Sequence, residues 1–466
     1  MRGFLASSIG VATAAALALP LALPTPALAG SAAPAAPAGS TQSLPLVPVP
    51  AAGDRAASGV PGMSAGPRTP AAVGLAAREV KTFSLVGVVW DDAGTELSGR
   101  VQVRTRSAAT AAWSDWQDVE THNAEHAADP DAAERGSGRV RGSTAPLWVG
   151  ESDGIEVRVQ AATGAVSALP SGLRIELVDP GAARGTAPDG KNGTAGEGAG
   201  DGDDKGEAGV APGLSMEMAE ASMVNVPHAP LGANEIKELD KADATADAVF
   251  ASDGALEAAA VPYIGPRPKI ITRRGWGADE SLREPGFVYT STVKAAFVHH
   301  SASGNNYACK DAPAVLRSLY RYHVVSSGWR DFGYNFAVDK CGNVYEGRAG
   351  GVSKAVLGAH TMGFNTNSMG VVVLGSYTNL APPAAATSAV AKLTAWKLGL
   401  FNADPRGKTK LVSGGGNKFP KGRSVSMNVI SGHRDGFATE CPGKRLYGEL
   451  PPTRTASARL QGRPVP

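Results

Sequence analysis

At 466 residues, with 43% hydrophobic, 6% aromatic and 19% charged residues, the chain is long enough for more than one domain. Its formal charge of +2 conceals a split: from Pro262 onward 27 Lys/Arg face 11 Asp/Glu, a net +16, and everything before sums to −14. No stacking or groove-reading motif accompanies the basic block, which argues against nucleic acid as partner, and no segment after the N-terminal leader is long and apolar enough to cross a bilayer.

Residues 1–29 read as a secretory signal peptide: Arg2, an apolar stretch from Gly10 to Leu23, then the small-x-small run Ala27-Leu28-Ala29. Pro20, Pro24 and Pro26 interrupt the apolar run before it reaches the ~20 residues a span needs, so a removable leader is expected rather than an anchor. Mature protein would begin near Gly30, outside the cell. Residues 30–77, rich in Ala and Pro, read as a flexible leader that buries too little to fold.

From 78 to 180 the pattern changes. KTFSLVGVVW (81–90), GRVQVRT (99–105), GIEVRVQ (154–160) and GLRIELV (172–178) alternate with period two between Asp/Gly turns. These runs predict a small all-β domain, most simply a sandwich, in which Trp90, Trp113, Trp116 and Trp148 serve the core or, if exposed, a glycan-binding face. Residues 181–261 form an acidic, Gly/Ala-rich linker; 180–261 holds 15 acidic against 5 basic residues and should be solvated, with LGANEIKELDKADATADAVF at most a transient helix.

Residues 262–450 predict an α/β domain with a mixed central sheet flanked by helices. Lys294–His299 is an apolar strand ending in two His. Asp311 and Pro313 open a helix on which Val315, Leu316, Leu319, Tyr322 and His323 recur at helical spacing. YNFAVDKCGNVYEG is a hairpin, MGVVVLG (369–375) a buried strand, and Thr387 to about Phe401 a helix; 451–466 is a tail.

His299 in AAFVHHSA, with His433, Thr439 and Cys441 in SGHRDGFATECPG, makes a candidate zinc site: two imidazoles and a thiolate, with a fourth position left for water. Adjacent strand residues face opposite ways, so only one of His299 and His300 can reach the ion. Three cysteines in an exported chain leave one unpaired. Cys309 and Cys341 flank a helix and a strand and would pair, freeing Cys441 for metal; three reduced thiols are the alternative.

RRGWGA (273–278), VHHSA (298–302), GWRDFGYNFAVD (328–339), VYEGR (344–348), GAHTMGFN (358–365), SMGVVVLGSY (368–377) and GHRDGFATECPG (432–443) together resemble the peptidoglycan recognition protein family, related to zinc N-acetylmuramoyl-L-alanine amidases. The resemblance covers roughly 262–450; 78–180 more weakly resembles the domain preceding this module in actinobacterial exported proteins. It implies His299, His433 and Cys441 as Zn²⁺ ligands and Tyr334 and Thr439 as catalytic groups, although some relatives carry a lysine in place of Thr439. His323, Trp329, Arg348, His360 and Asn365 correspond to positions lining the peptide cleft. The implied function is zinc-dependent hydrolysis of the bond between N-acetylmuramic acid and L-alanine; the alternative is a non-catalytic recognition module. Partners would be peptidoglycan, its stem peptides and, from the +16 charge, anionic wall polymers, at a secreted or wall-associated location.

Overall fold

The computed structural model describes residues 39–49, 72–162, 169–182, 214–251 and 263–464; the signal peptide expected over 1–29 lies outside them. The N-terminal sheet contains β1 (Ser40–Pro45), β2 (Val47–Pro48), β3 (Ala72–Trp90), β4 (Gly99–Ser107), β5 (Gln117–Val119), β6 (Gly142–Ser143), β7 (Leu147–Ala161) and β8 (Arg174–Asp179), in the order β1-β8-β3-β7-β4-β5, with β2 and β6 also on β3. Every pair is antiparallel. The period-two runs become β3, β4, β7 and β8, as their alternation requires: Val101, Val103 and Thr105 of β4 point inward and their neighbours outward.

The strands are hydrogen-bonded into one continuous sheet, through which β3 runs with register shifts between Leu75 and Leu85 while both of its ends contribute to one core. One expectation needs correction here. The supposed flexible leader contributes β1, paired along its length with β8 from Ser40↔Asp179 to Pro45↔Arg174. Leu44 and Leu46 pack on the sheet's core, so this Pro-rich segment gains what its composition alone would not supply. Trp90 and Trp148 are buried, whereas Trp113 is exposed and Trp116 half-buried under the Arg158 guanidinium, 3.9 Å from its ring centroid.

The acidic segment is also ordered where described. It supplies α1 (Met216–Met223), β9 (Glu235–Ile236) and α2 (Lys241–Ala251). Ile236 is fully buried at the edge of the second sheet, and the Asp247 carboxylate accepts from Arg267 at 2.6 Å and lies 2.9 Å from His228 Nδ1. Tertiary contacts thus override a composition that favours solvation.

The second sheet adds β10 (Ile270–Ile271), β11 (Ala295–His300), β12 (Phe336–Val338), β13 (Val344–Glu346), β14 (Ser368–Val373) and, after the separate ribbon β15 (Lys408–Val412) and β16 (Ser424–Asn428), β17 (Ile430–Gly432). Its order is β17-β11-β14-β12-β13-β10-β9, mixed parallel and antiparallel. The helices are α3 (Arg273–Trp276), α4 (Ala312–Arg321), α5 (Ala384–Gly399), α6 (His433–Gly436), α7 (Lys444–Gly448) and α8 (Leu450–Leu460). The expected C-terminal tail is thus helix α8, which packs on α5 with Thr394 Oγ1 and Ser457 Oγ 3.1 Å apart in the interface. Cys309 and Cys341 are disulfide-bonded, tying the turn before α4 to the β12–β13 hairpin.

The two sheets share a core. Leu85, Val89, Trp148 and Val178 of the first cluster with Leu316, Leu319, Tyr320 and Tyr322 of α4 and the π-helical turn after it. Tyr322 Oη donates to Thr144 O at 3.1 Å, and a Cβ at Gly87 would lie 2.3 Å from Tyr322 Oη, so glycine is what admits the ring.

Candidate metal centre and cleft

The site forms where parallel strands end. β11 is flanked by β14 and β17, with Val298 opposite Gly432; one step beyond, His299 and His433 meet with ring centroids 4.6 Å apart. The His300 ring instead accepts the Tyr377 N–H at 3.3 Å, as alternation requires. After α6 the loop doubles back, fixed by Arg434 N–H donating to Cys441 O at 3.0 Å, which returns Cys441 to His433. Cys441 Sγ lies 3.8 Å from His299 Nδ1.

A residue from the N-terminal domain completes this group. His126 Nε2 is 3.4 Å from Cys441 Sγ and 3.1 Å from His433 Nδ1. One ligand atom from each of His126, His299, His433 and Cys441 lies within 4.8 Å of all the others. A tetrahedral zinc with bonds of ~2.0–2.3 Å sets its ligand atoms about 3.3–3.8 Å apart, so the spacing fits, and imidazole with thiol is a donor set for zinc rather than for calcium or magnesium. Burial, then His433, holds His299 well below the ordinary range; burial, then His126, does the same to His433; both are neutral and ready to ligate. Burial likewise pushes the Cys441 thiol well up, so a cation is what would make it a thiolate.

Outer contacts orient the candidate ligands. His299 Nε2 is 3.3 Å from Thr361 Oγ1, itself 3.0 Å from His360 Nδ1, while Asn365 Oδ1 accepts from the backbones of His360 and Thr361 at 2.8 and 3.0 Å. His360 and Asn365 therefore shape the loop beside the ligands. Tyr334, just before β12, sets its ring 5.2 Å from that of His299 and is 4% exposed; burial raises its phenol well above 10, keeping it a hydrogen-bond donor. Thr439 accepts the Cys441 N–H at 3.1 Å and donates to Glu125 Oε1 at 2.8 Å. His323 stacks on Trp329 at 4.4 Å and takes the Gly333 N–H at 3.3 Å. Arg348 donates to Phe332 O at 2.7 Å and forms a double bridge to Glu134 at 2.9 and 3.0 Å.

Sequence reasoning named the residues of the second domain and missed those of the first: Glu125, His126, Asp129 and Glu134. The available signal was length. The connection from β5 to β6 runs through residues 120–141, far longer than an antiparallel hairpin needs, and long irregular loops in compact domains usually carry function.

Residues 289–444 match the family described as N-acetylmuramoyl-L-alanine amidase, and residues 32–190 match the Rv3811 N-terminal galactose-binding domain-like family. The chain is 34% identical over 184 residues to peptidoglycan-recognition protein SC2 of Drosophila simulans, covering 39% of this chain and 84% of that protein. It is 30% identical over 204 residues to the human N-acetylmuramoyl-L-alanine amidase, covering 42% of this chain and 30% of that one. Among solved structures, wild-type Drosophila PGRP-LB aligns at 27% identity and a TM-score of 0.31, covering 39% of this chain and 91% of that one.

Proposed function

Because the chain belongs to the peptidoglycan-recognition protein and N-acetylmuramoyl-L-alanine amidase family, whose members bind peptidoglycan or cleave it, we propose that it is an exported zinc amidase hydrolysing the bond between N-acetylmuramic acid and L-alanine. The observation that carries this reading is the convergence of His299, His433 and Cys441, each no more than 3% exposed, with the Tyr334 phenol beside them. A zinc ion bound there would polarise the scissile carbonyl and activate a water.

The protein's own groups do the rest. His299, His433 and Cys441 hold their donor atoms in place from a strand end, a helix start and a folded-back loop, so little ordering remains to be done on binding. Tyr334, still protonated at any working pH, donates to the amide oxygen as negative charge builds on it. Thr439 fixes the Cys441 backbone and offers a second hydroxyl. His323, Trp329, Arg348, His360 and Asn365 bound the cleft for the stem peptide, and the +16 charge from Pro262 onward draws the domain to anionic wall polymers. The leader would deliver it outside the cell, where the Cys309–Cys341 bond persists.

Mass spectrometry of muropeptide digests, with and without a chelator, tests the proposal. The expected result is chelator-sensitive release of L-alanine amino termini. Intact muropeptides retained on the protein would instead make it a binding-only module.

A further inference from the structure

An enzyme that cuts a polymer must show its reactive groups to that polymer, yet His299, His433, Cys441 and Tyr334 are between 0 and 4% exposed. What covers them is the loop between β5 and β6. Residues 120–134 carry five acidic and no Lys or Arg residues, and they lie against the basic domain. Glu125 accepts from Thr439 Oγ1 at 2.8 Å through its side chain and from Met362 N–H at 2.9 Å through its carbonyl. Ala127 O and Asp129 Oδ1 accept from the Asn365 amide at 2.9 and 2.7 Å, and Asp129 also takes the Gly363 N–H at 2.8 Å. Asp131 pairs with Lys421, and Glu134 bridges Arg348 while accepting the Arg330 N–H at 3.1 Å.

We propose that His126 is a fourth protein ligand of the metal centre and that segment Glu125–Glu134 occupies the peptide cleft, making the folded chain a latent form of the amidase. This rests on the zinc-amidase reading above. A site with three protein ligands keeps a position for water; one with four is closed, as structural zinc sites are. His126 supplies the fourth donor atom, while the segment holds Thr439, Asn365 and Arg348, three residues that sequence assigned to catalysis or to substrate. The open space left beside the segment is a groove of about 350 Å³ bounded by Ala128, Glu134, Arg348 and Asn365, and none of the four metal-binding side chains lines it. The segment presents carboxylates and peptide carbonyls to the cleft, as an anionic peptide ligand would. Such a ligand must displace it to bind.

The test compares the full chain with His126→Ala and with Asp129→Ala/Glu134→Ala, each checked for native circular dichroism. Cobalt(II) is loaded in place of zinc, and its visible spectrum is followed during azide titration. The wild-type spectrum should not change and that of His126→Ala should, because only the variant has a position for an added ligand. Binding of a muramyl peptide, measured by calorimetry, should tighten at least ~10-fold in both variants, since apparent affinity scales with the open fraction. Azide-sensitive cobalt in the wild type, together with equal muramyl-peptide binding by all three proteins, would overturn the proposal. If the variants gain azide response and binding but none hydrolyses, the latent cleft stands and the amidase reading falls. If His126→Ala does not fold, the double variant decides by peptide binding alone: tighter binding supports the closed cleft, unchanged binding refutes it.

Discussion

The bridge between Glu134 and Arg348 offers a direct measure of whether the loop is docked in solution. Both side chains are under 10% exposed, and the pair is bidentate at 2.9 and 3.0 Å. Burial presses the Arg348 pKa down, and the Glu134 carboxylate more than restores it. Replacing Glu134 by alanine leaves the guanidinium with Phe332 O at 2.7 Å, Leu357 O at 3.4 Å and no direct carboxylate partner. Breaking one side of a buried pair costs about 3–5 kcal/mol, against roughly 0.2–1 kcal/mol for an exposed one. Local undocking relieves part of that cost, so Glu134→Ala should lose about 3 kcal/mol, and a double-mutant cycle with Arg348→Ala should give a coupling of about 2 kcal/mol. Urea unfolding of the four proteins, followed by tryptophan fluorescence, supplies the numbers. A coupling below about 0.5 kcal/mol would place the pair in solvent and refute a docked loop.

Other consequences can be measured separately. Cys441→Ser should lose bound zinc and hydrolysis while keeping its fold, because serine is a far poorer ligand than thiolate at neutral pH; metal analysis with muropeptide turnover checks it, and full activity would remove Cys441 from the ligand set. Non-reducing peptide mapping should link Cys309 to Cys341 and leave Cys441 alkylatable after unfolding; removing the bond, which closes a separation of 32 residues, should cost about 3–4 kcal/mol. Tyr334→Phe should lower kcat with little change in KM, since its donor acts on charge that appears only in the transition state. Glu346 is buried and raised from 4.5 to about 7, chiefly by desolvation. Its stabilising contribution is therefore complete below pH ~4.5 and lost as pH rises through ~7, up to about 3 kcal/mol, and Glu346→Gln should abolish that slope in unfolding free energy.

The elements that sequence exposed most clearly are those whose pattern is local. The alternation of β4 and the unbroken apolar runs of β11 and β14 state their own burial. Strand alternation allows only one of His299 and His300 to face an ion, and the resemblance carried by VHHSA picks His299; the His433–Cys441 spacing survives as a short loop. What stayed hidden depends on partners far away in the chain. β1 looks like spacer until β8 lies beside it, and β9 and α2 look like acidic linker until Ile236 and Ala244 find a core. His126 reads as one polar loop residue among alanines and acids; its partner Cys441 is 315 positions away, and no periodicity encodes that distance.

The shared apolar core also determines what kind of motion can expose the centre. Leu85, Val89, Trp148 and Val178 are sealed against Tyr320 and Tyr322, so swinging the N-terminal sheet away as a body would bare a cluster of large side chains to water. The β5–β6 connection is tied by smaller contacts: hydrogen bonds and ion pairs to the cleft, the buried His126 ring against His299 and His433, and the small side chains of Ala127 and Ala128, with both ends of the loop rooted in the sheet. The hinge therefore lies within the loop, at the scale of local unfolding rather than of domain separation. Ionic strength weakens the exposed part of those polar contacts, such as Asp131 with Lys421, and does not act on the apolar core, so salt should loosen the gate while leaving the frame that carries it in place.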